Sequence, residues 1–450
     1  ALSSAASDVY KRQSLLGVSA PDDKTLVVNL VGSCAYFLEE VCAGAYTMPV
    51  RQDQVESGKW GGKDTVTNGA YCVSSFSGGQ VELTKSETYY DSAAVGPDIL
   101  RFVSASADQD YDAFLNGEVD LILNLPEETL QTLANSGSWQ PDPVTATYGL
   151  LLNTKVEPFT DPNVRLALRL AIDTQAVVEA VGDLTLRAAS GLLPYGITDY
   201  GTAAQEAEEE TTTQSVPDPN QSEQPQEPDT FWDFRTHSLE MVTVTTDTDY
   251  EDDCVQARSL LAQAGYPDGT GFPAVEYIYV SSDIGKAVAQ AVTAMWQEQL
   301  GITVTARAVT AEEYEAMLTP AEPETTDGSG TAEDAEPVAP FQIAARDFSA
   351  AYNDAKAILG DFYSSNAGND SGYASEAFDI LMESAAAAIS PEARDAYLHD
   401  AEAILLNDAP VIPLYYEGLS WQLREGLSGL YRAPDGVFFL YHLSQGETAA

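Results

Sequence analysis

The residue types best suited to metal or nucleophilic chemistry are scarce in this chain: three histidines, His237, His399 and His442, and four cysteines, Cys34, Cys42, Cys72 and Cys254. None of the histidines stands at metal-ligand spacing from a cysteine or from another histidine, so no metal site is expected. The sequence holds no G-x-S-x-G elbow, Walker loop, H-E-x-x-H or G-x-G-x-x-G, and therefore no signature of acyl transfer, phosphate binding, zinc hydrolysis or dinucleotide binding. Cys34 and Cys42 lie eight residues apart in "CAYFLEEVC". On a helix they would be about 12 Å apart, beyond the roughly 7 Å that a disulfide spans. Cys72 and Cys254 leave pairing, and with it the redox compartment, undecided. Carboxylates are abundant, 70 against 21 basic side chains, but no pair has a spacing specific to glycoside hydrolysis. The triplet Glu208–Glu210 and the run "DTDYEDD" lack the spacing and glycine of a calcium loop, and read as solvated charge. Neither an enzyme nor a cofactor is indicated.

The net charge of −49 repels nucleic acid and anionic lipid and favours solubility. A different kind of chemistry is suggested by "FQIAARDFSAAYNDAKAILGDFYSSNAGNDSGYAS", residues 341–375. It has six aromatic rings, four aspartates and many small residues, with no single period over its length. Its rings, together with Tyr415 and Tyr416, suit either core packing or the wall of a ligand cleft.

The elements that must position these groups follow from patterning. The 450 residues, 44% hydrophobic, are enough for two or three domains. No run of 18 apolar residues occurs, so no transmembrane helix is expected. The opening "ALSSAASDVYKRQ" carries no secretory signal or lipid-attachment cysteine and leads into what reads as mid-domain sequence, so the true N-terminus is expected to lie upstream. Residues 203–230 and 319–340 are rich in Pro, Glu, Gln and Thr and poor in large apolar groups, which predicts flexible acidic inserts. They leave three structured blocks, 14–202, 231–318 and 341–445.

In the first block, "TLVVNLV" and "ILRFVSA" predict strands. "AYCVSSFSGGQVELTKS" predicts a hairpin turning at Gly78–Gly79. "DQDYDAFLNGEVDLIL" predicts a helix stopped near Gly117, then a strand. "YGLLLNTK" is a further strand. "TDPNVRLALRLAID" predicts a helix capped by Thr160 or Asp161, with Pro162 in its first turn. In the middle block, helix "DDCVQARSLLAQAG" ends at Gly265. Strand "AVEYIYVS", helix "DIGKAVAQAVTAMWQEQLG" and strand "ITVTARAV" then form a right-handed βαβ unit. The spacing places Ile284, Val288, Ala291, Met295 and Leu300 on the helix's inner face. The last block adds two helices, the second capped by Ser390, and strand "APVIPLYY", whose two prolines suit an edge or a strand start.

Taken together these segments resemble the extracytoplasmic solute-binding proteins of oligopeptide and dipeptide ABC importers, family 5 type. The resemblance rests on "TNGAYCVSSFSGGQVELTKSETYY", "FLNGEVDLIL", "GLLLNTKVEPFTDPNVRLALRLAID", "LLAQAGYPDGTGFP", "YNDAKAIL", "NAGNDSGYAS" and "AEAILLNDAPVIPLYY", in that order. It covers nearly all of the chain outside the acidic inserts. It implies an α/β, two-lobed periplasmic-binding-protein-like fold (type II, with an additional subdomain), here N-terminally incomplete and with exposed apolar surface on the first lobe as a result. Residues 14–62 would be a remnant of the subdomain, and 63–200 with 430–445 the first lobe. Residues 231–429 would be the second.

The function implied is non-enzymatic capture of extracellular oligopeptides between the lobes and delivery to the permease subunits of an ABC importer. The protein would be a monomer on the outer face of the membrane, held by a lipid anchor, or in the periplasm. Alternatives are the same fold binding another solute, such as a glycan fragment or a metal chelate, or a secreted hydrolase.

The family normally pairs a carboxylate of the second lobe with the ligand's α-ammonium, within a tryptophan-x-x-aspartate-tyrosine-asparagine segment. Here Phe348 holds the tryptophan position and Ala351 the aspartate position, while Tyr352 and Asn353 are retained. An upstream arginine of some members falls at Ala345, beside Arg346. After the proline strand Tyr416 is retained, and the next tyrosine position holds Glu417. The ligand-binding residues expected from the resemblance are thus Phe348, Ala351, Tyr352, Asn353, Asp354, Tyr416 and Glu417. Either Asp354 or Glu417 replaces the missing negative charge, or the ligand has no free amine.

Overall fold

The computed structural model describes residues 17–30, 34, 37–42, 48, 50–58, 65–77, 79–103, 107–136, 141–197, 250–318, 341–433 and 436–445. The two acidic inserts expected at 203–230 and 319–340, His237 and Gly78 lie outside them.

The first elements are a solvent-exposed hairpin, β1 (Val18–Asp22) and β2 (Thr25–Val28), and a short helix, α1 (Gln52–Glu56). The predicted hairpin follows as β3 (Tyr71–Ser77) and β4 (Gln80–Lys85), with Gly79 at φ 77° where a side chain would be strained. Strand β5 (Ile99–Phe102) pairs antiparallel with β4. Helix α2 (Ala107–Leu115), β6 (Leu121–Leu123) and α3 (Glu127–Asn135) complete a small unit around Ile122, Leu125 and Leu130. Its surface carries exposed apolar side chains, among them Phe76, Tyr90, Val103 and Leu115.

The large unit is built on one six-stranded sheet. Its elements in chain order are β7 (Asp142–Leu152), α4 (Pro162–Leu170), α5 (Thr174–Val181), β8 (Arg187–Ala188), α6 (Tyr250–Gln263), β9 (Val275–Val280), α7 (Asp283–Leu300), β10 (Val304–Val309), α8 (Ala311–Leu318), β11 (Ile343–Ser349), α9 (Lys356–Leu359), α10 (Glu376–Ala387), α11 (Pro391–Asp408) and β12 (Val411–Leu419). Strand order is β10-β9-β11-β7-β12-β8. β10, β9 and β11 are parallel, as the βαβ pattern predicts, and β7 runs antiparallel to both β11 and β12. The chain then leaves the sheet through β13 (Trp421–Leu423), which pairs with β6. Short strands β14 (Leu427–Ser428), β15 (Tyr431–Arg432), β16 (Phe438–Phe439) and β17 (Ser444–Gln445) follow. The last segment packs against the small unit, where Gly96 N donates to Tyr441 O at 2.8 Å.

Local signals set the helix ends. Asp161 accepts from Asn163 N at 2.8 Å with Pro162 in the first turn, Ser282 caps α7 through Gly285 N at 2.9 Å, and Gly301 ends α7 at φ 70°. The sheet has a core on each face. On one, Trp296, Val288 and Val292 of α7 pack on Leu168 of α4 and on Tyr277 of β9, and the Trp296 indole donates to Leu168 O at 2.9 Å. On the other, Phe378 of α10 and Leu398 and Leu405 of α11 pack on Ile278, Ala344 and Phe348.

Strand β7, which the boundary expected near residue 200 groups with 63–136, pairs within the sheet of the large unit. β7, nearly all buried along its second half, lies between β11 and β12 in the large sheet. An apolar strand of eleven residues finds its ladder only there, and the large unit spans 142–419. Of the inner face expected for α7, Val288 and Leu300 are buried and Ala291 and Met295 pack against the same core, while Ile284 is 43% exposed and Ala289, Val292 and Trp296 complete the buried face. The prolines of β12 lie at its start, as expected: Pro410 precedes the strand and Pro413 is its third residue, although β12 as a whole is flanked on both sides. However, β8 pairs with it only at Tyr415 and Tyr416, so Pro413 has β7 alone beside it and no ladder bond is lost. No disulfide joins the described cysteines.

Candidate ligand-binding site

The chain passes between the two units at adjacent points, entering β7 at Asp142 and leaving β12 at Leu419, which are directly paired. The register brings the end of β11 to the same end of the sheet, with Ser349 opposite Ala146 and Ala350 N bonded to Thr145 O at 2.9 Å. Asp347, the turn at 351–355 and Glu417 therefore gather where the sheet meets the small unit.

Strand β11 alternates: Ala344 and Phe348 point into one core, Ile343 and Ala345 into the other. Phe348 is 2% exposed and its ring lies 5.9 Å from that of Phe362, so it is packed core here. Arg346 lies over the Phe348 ring and forms ion pairs with Asp370 at 2.8 Å and Asp361 at 3.8 Å. Its charge is thus neutralised within the protein. Ala351 is exposed, and Tyr352 and Asn353 are half-buried beside it.

The two candidates for the missing negative charge differ sharply. Asp354 is 2% exposed, pairs with Arg394 Nη2 at 2.8 Å and accepts from Lys356 N at 2.8 Å. Its charge is engaged within the fold by these two partners. Tyr416 is also internal, at 1% exposure, with its hydroxyl accepting from Ser190 N at 3.1 Å and Gly191 N at 2.9 Å. It fixes the loop after β8.

Glu417 is half-buried, and its carboxyl feels the charge of Asp347, which is not among the residues the resemblance implies. Burial, followed by the neighbouring Asp347 charge, pushes the Glu417 carboxyl up to about 7, and burial also raises Asp347. Between them the register places Tyr148 of β7, opposite both Asp347 and Tyr415. The Tyr148 and Tyr415 rings stack at 4.9 Å and 3°. No alternation in "IAARDFS" marks Asp347; the strand geometry of β11 is what places it on the face away from Phe348. Neither Asp347 nor Glu417 has a basic side-chain partner among the described residues, and no group of metal-ligating side chains is found among them.

A three-layer α/β unit, joined by two adjacent crossings to a smaller unit and with polar groups at the junction, is the architecture of a two-lobed solute-binding protein. The chain belongs to the bacterial extracellular solute-binding proteins, family 5, whose middle-region model matches residues 2–370. It is 27% identical over 412 residues to the periplasmic oligopeptide-binding protein OppA of Escherichia coli, covering 89% of this chain and 65% of that protein. It is 24% identical over 428 residues to the dipeptide-binding protein DppE of Bacillus subtilis, covering 94% of this chain and 68% of that one. In fold it is similar to the murein tripeptide binding protein MppA of Escherichia coli, with a TM-score of 0.67, 22% identity, and coverage of 97% of this chain and 75% of that one. The chain therefore spans about two thirds of the length of these curated relatives. Among the described residues no helix is long and apolar enough to cross a membrane.

Proposed function

We propose that this protein is the peptide-capturing component of an ABC importer. It takes an extracellular oligopeptide into the space where the sheet end meets the small unit and passes it to permease subunits in the membrane. It does so without chemical turnover, as a monomer at the outer face of the membrane under a lipid anchor or in the periplasm. Membership of family 5 over residues 2–370 carries this reading. The junction supports it with ordinary binding chemistry: half-buried tyrosines, the accessible turn at Ala351–Asn353, and a carboxyl pair with no internal cation. On this reading Ala351, Tyr352, Asn353 and Glu417 line the ligand, while Phe348, Asp354 and Tyr416 hold the wall in place from behind.

A thermal-shift panel of di- to pentapeptides tests it. A peptide at 100 times its Kd stabilises a binding protein by about 2.7 kcal/mol, a rise of several degrees. The peptides should be recovered intact by mass spectrometry. A panel with no stabilising peptide, or with cleaved peptides, rejects the reading.

A further inference from the structure

Resting on the reading of peptide capture, we propose that Glu402 and Arg394 are positioning residues for the ligand. From inside the large unit they tie two ligand-lining segments, the turn at Ala351–Asn353 and the Tyr416–Glu417 end of β12, to one helix, α11. Both side chains are turned inward: Glu402 is 1% exposed and Arg394 13%. Each acts through a segment that reaches the surface.

The start of α11 fixes the turn. Arg394 Nη2 donates to Asp354 Oδ1 at 2.8 Å, and the same oxygen accepts from Lys356 N at 2.8 Å, where α9 begins. Asp354 N donates back to Tyr352 O at 2.8 Å, so the accessible turn is held at its end by a buried ion pair. About 12 Å further along the axis, Glu402 fixes a loop. Its Oε1 accepts from the consecutive amides of Leu192 at 2.8 Å and Leu193 at 2.9 Å. The loop is keyed to the sheet at two places. Thr147 Oγ1 of β7 donates to Leu192 O at 2.8 Å, and the Tyr416 hydroxyl of β12 accepts from Gly191 N at 2.9 Å. Tyr416 immediately precedes Glu417, so this loop sets how the end of β12 is presented.

A second observation points the same way: α11 buries polar side chains where apolar ones would pack. Asp395, His399 and Glu402 recur at helical spacing and are each 3% exposed or less, interleaved with Leu398, Ala401 and Leu405 in the core. Desolvating ionisable groups costs free energy that leucine would not, so such a stripe contributes fixed placement more than stability. A hydrogen bond admits a narrow range of separations, whereas an apolar contact tolerates sliding. One helix thereby sets the spacing between the end of β11 and the end of β12.

Isothermal titration of the full chain tests the assignment, at a temperature where every variant is folded. The probe is the most stabilising peptide of the thermal-shift panel. Glu402→Gln keeps the reach and an oxygen that accepts from both amides, whereas Glu402→Asp keeps the charge but falls one carbon short. The Asp variant should weaken the peptide about tenfold, and the Gln variant should stay within about threefold of the parent. Arg394→Lys, which loses the guanidinium fork, should also weaken it about tenfold. Thr147→Val, which cuts the loop's tie to β7 at nearly constant volume, and Asp354→Asn read the same two segments where a first variant does not fold. Trp296→Phe, in the opposite core, is the control, with lower stability and parental affinity. Amide hydrogen exchange locates the cause: Glu402→Asp should speed it at Leu192 and Leu193, and Arg394→Lys at Asp354. Parental affinity in Glu402→Asp, or weaker binding by Glu402→Gln than by Glu402→Asp, overturns the role of Glu402. Parental affinity in Arg394→Lys overturns that of Arg394. An equal loss in Trp296→Phe reduces both to general stability, and peptide capture survives all three results. Failure of every peptide to bind the parent chain overturns both readings.

Discussion

At the residue scale, identical side chains have opposite fates within a few positions. Asp347 and Asp354 are seven residues apart; one reaches solvent beside Glu417, and the other is sealed against Arg394. Removing one partner of a buried pair leaves the other charge desolvated, which costs about 3–5 kcal/mol. Asp354→Ala should therefore lower the urea-unfolding free energy by about 3 kcal/mol, and the ratio of free to acetylated peptide affinity should stay unchanged. A shift in that ratio with no change in stability would return Asp354 to the ligand. Composition alone does not separate the two aspartates, because what decides their roles is a partner on α11 forty residues later.

At the scale of elements, local rules were strong where local interactions are strong. The caps at Asp161, Ser282 and Ser390, the stop at Gly301 and the parallel β9–α7–β10 unit follow from side chains within a turn or two of each end. The inner stripe of α7 was legible except at Ile284, because periodicity gives the width of an apolar face and the largest ring then selects its centre. Trp296 is that ring, with no exposed surface and its indole bonded across to α4. Trp296→Ala should cost about 3–5 kcal/mol. Trp296→Phe should cost less, leaving chiefly the lost hydrogen bond and a smaller void. Thermal unfolding of the two variants measures the difference, and equal losses would show that ring burial is not the dominant contribution.

At the scale of the molecule, the two units meet at a small cluster. The carboxylate of Asp142 accepts from the Trp421 indole and pairs with Arg432 at 3.3 Å, while Arg432 Nη2 donates to Pro143 O at 2.8 Å. Asn124 N donates to Ser420 O at 2.8 Å, and Leu125 N to Ser420 Oγ at 2.9 Å. These contacts tie both crossings together at the point about which the units would move. Arg432→Ala should speed amide hydrogen exchange at 142–146 and 418–421 while leaving protection in the centre of β7 and β9 unchanged. Faster exchange throughout the sheet would instead show that the cluster supports the large unit as a whole.

The sequence by itself determined the α/β class, most helix ends, the hairpin at 71–85 and, through ordered matching segments, the family. These depend on contacts within a dozen residues or on similarity that needs no coordinates. Only the tertiary structure decided that β7 lies in the middle of the large sheet, that Asp354 and Tyr416 face inward, and that Asp347 meets Glu417, 70 residues away. Strand order and the pairing of distant carboxylates are fixed by which buried surfaces fit together, and that fit is a property of the packed whole.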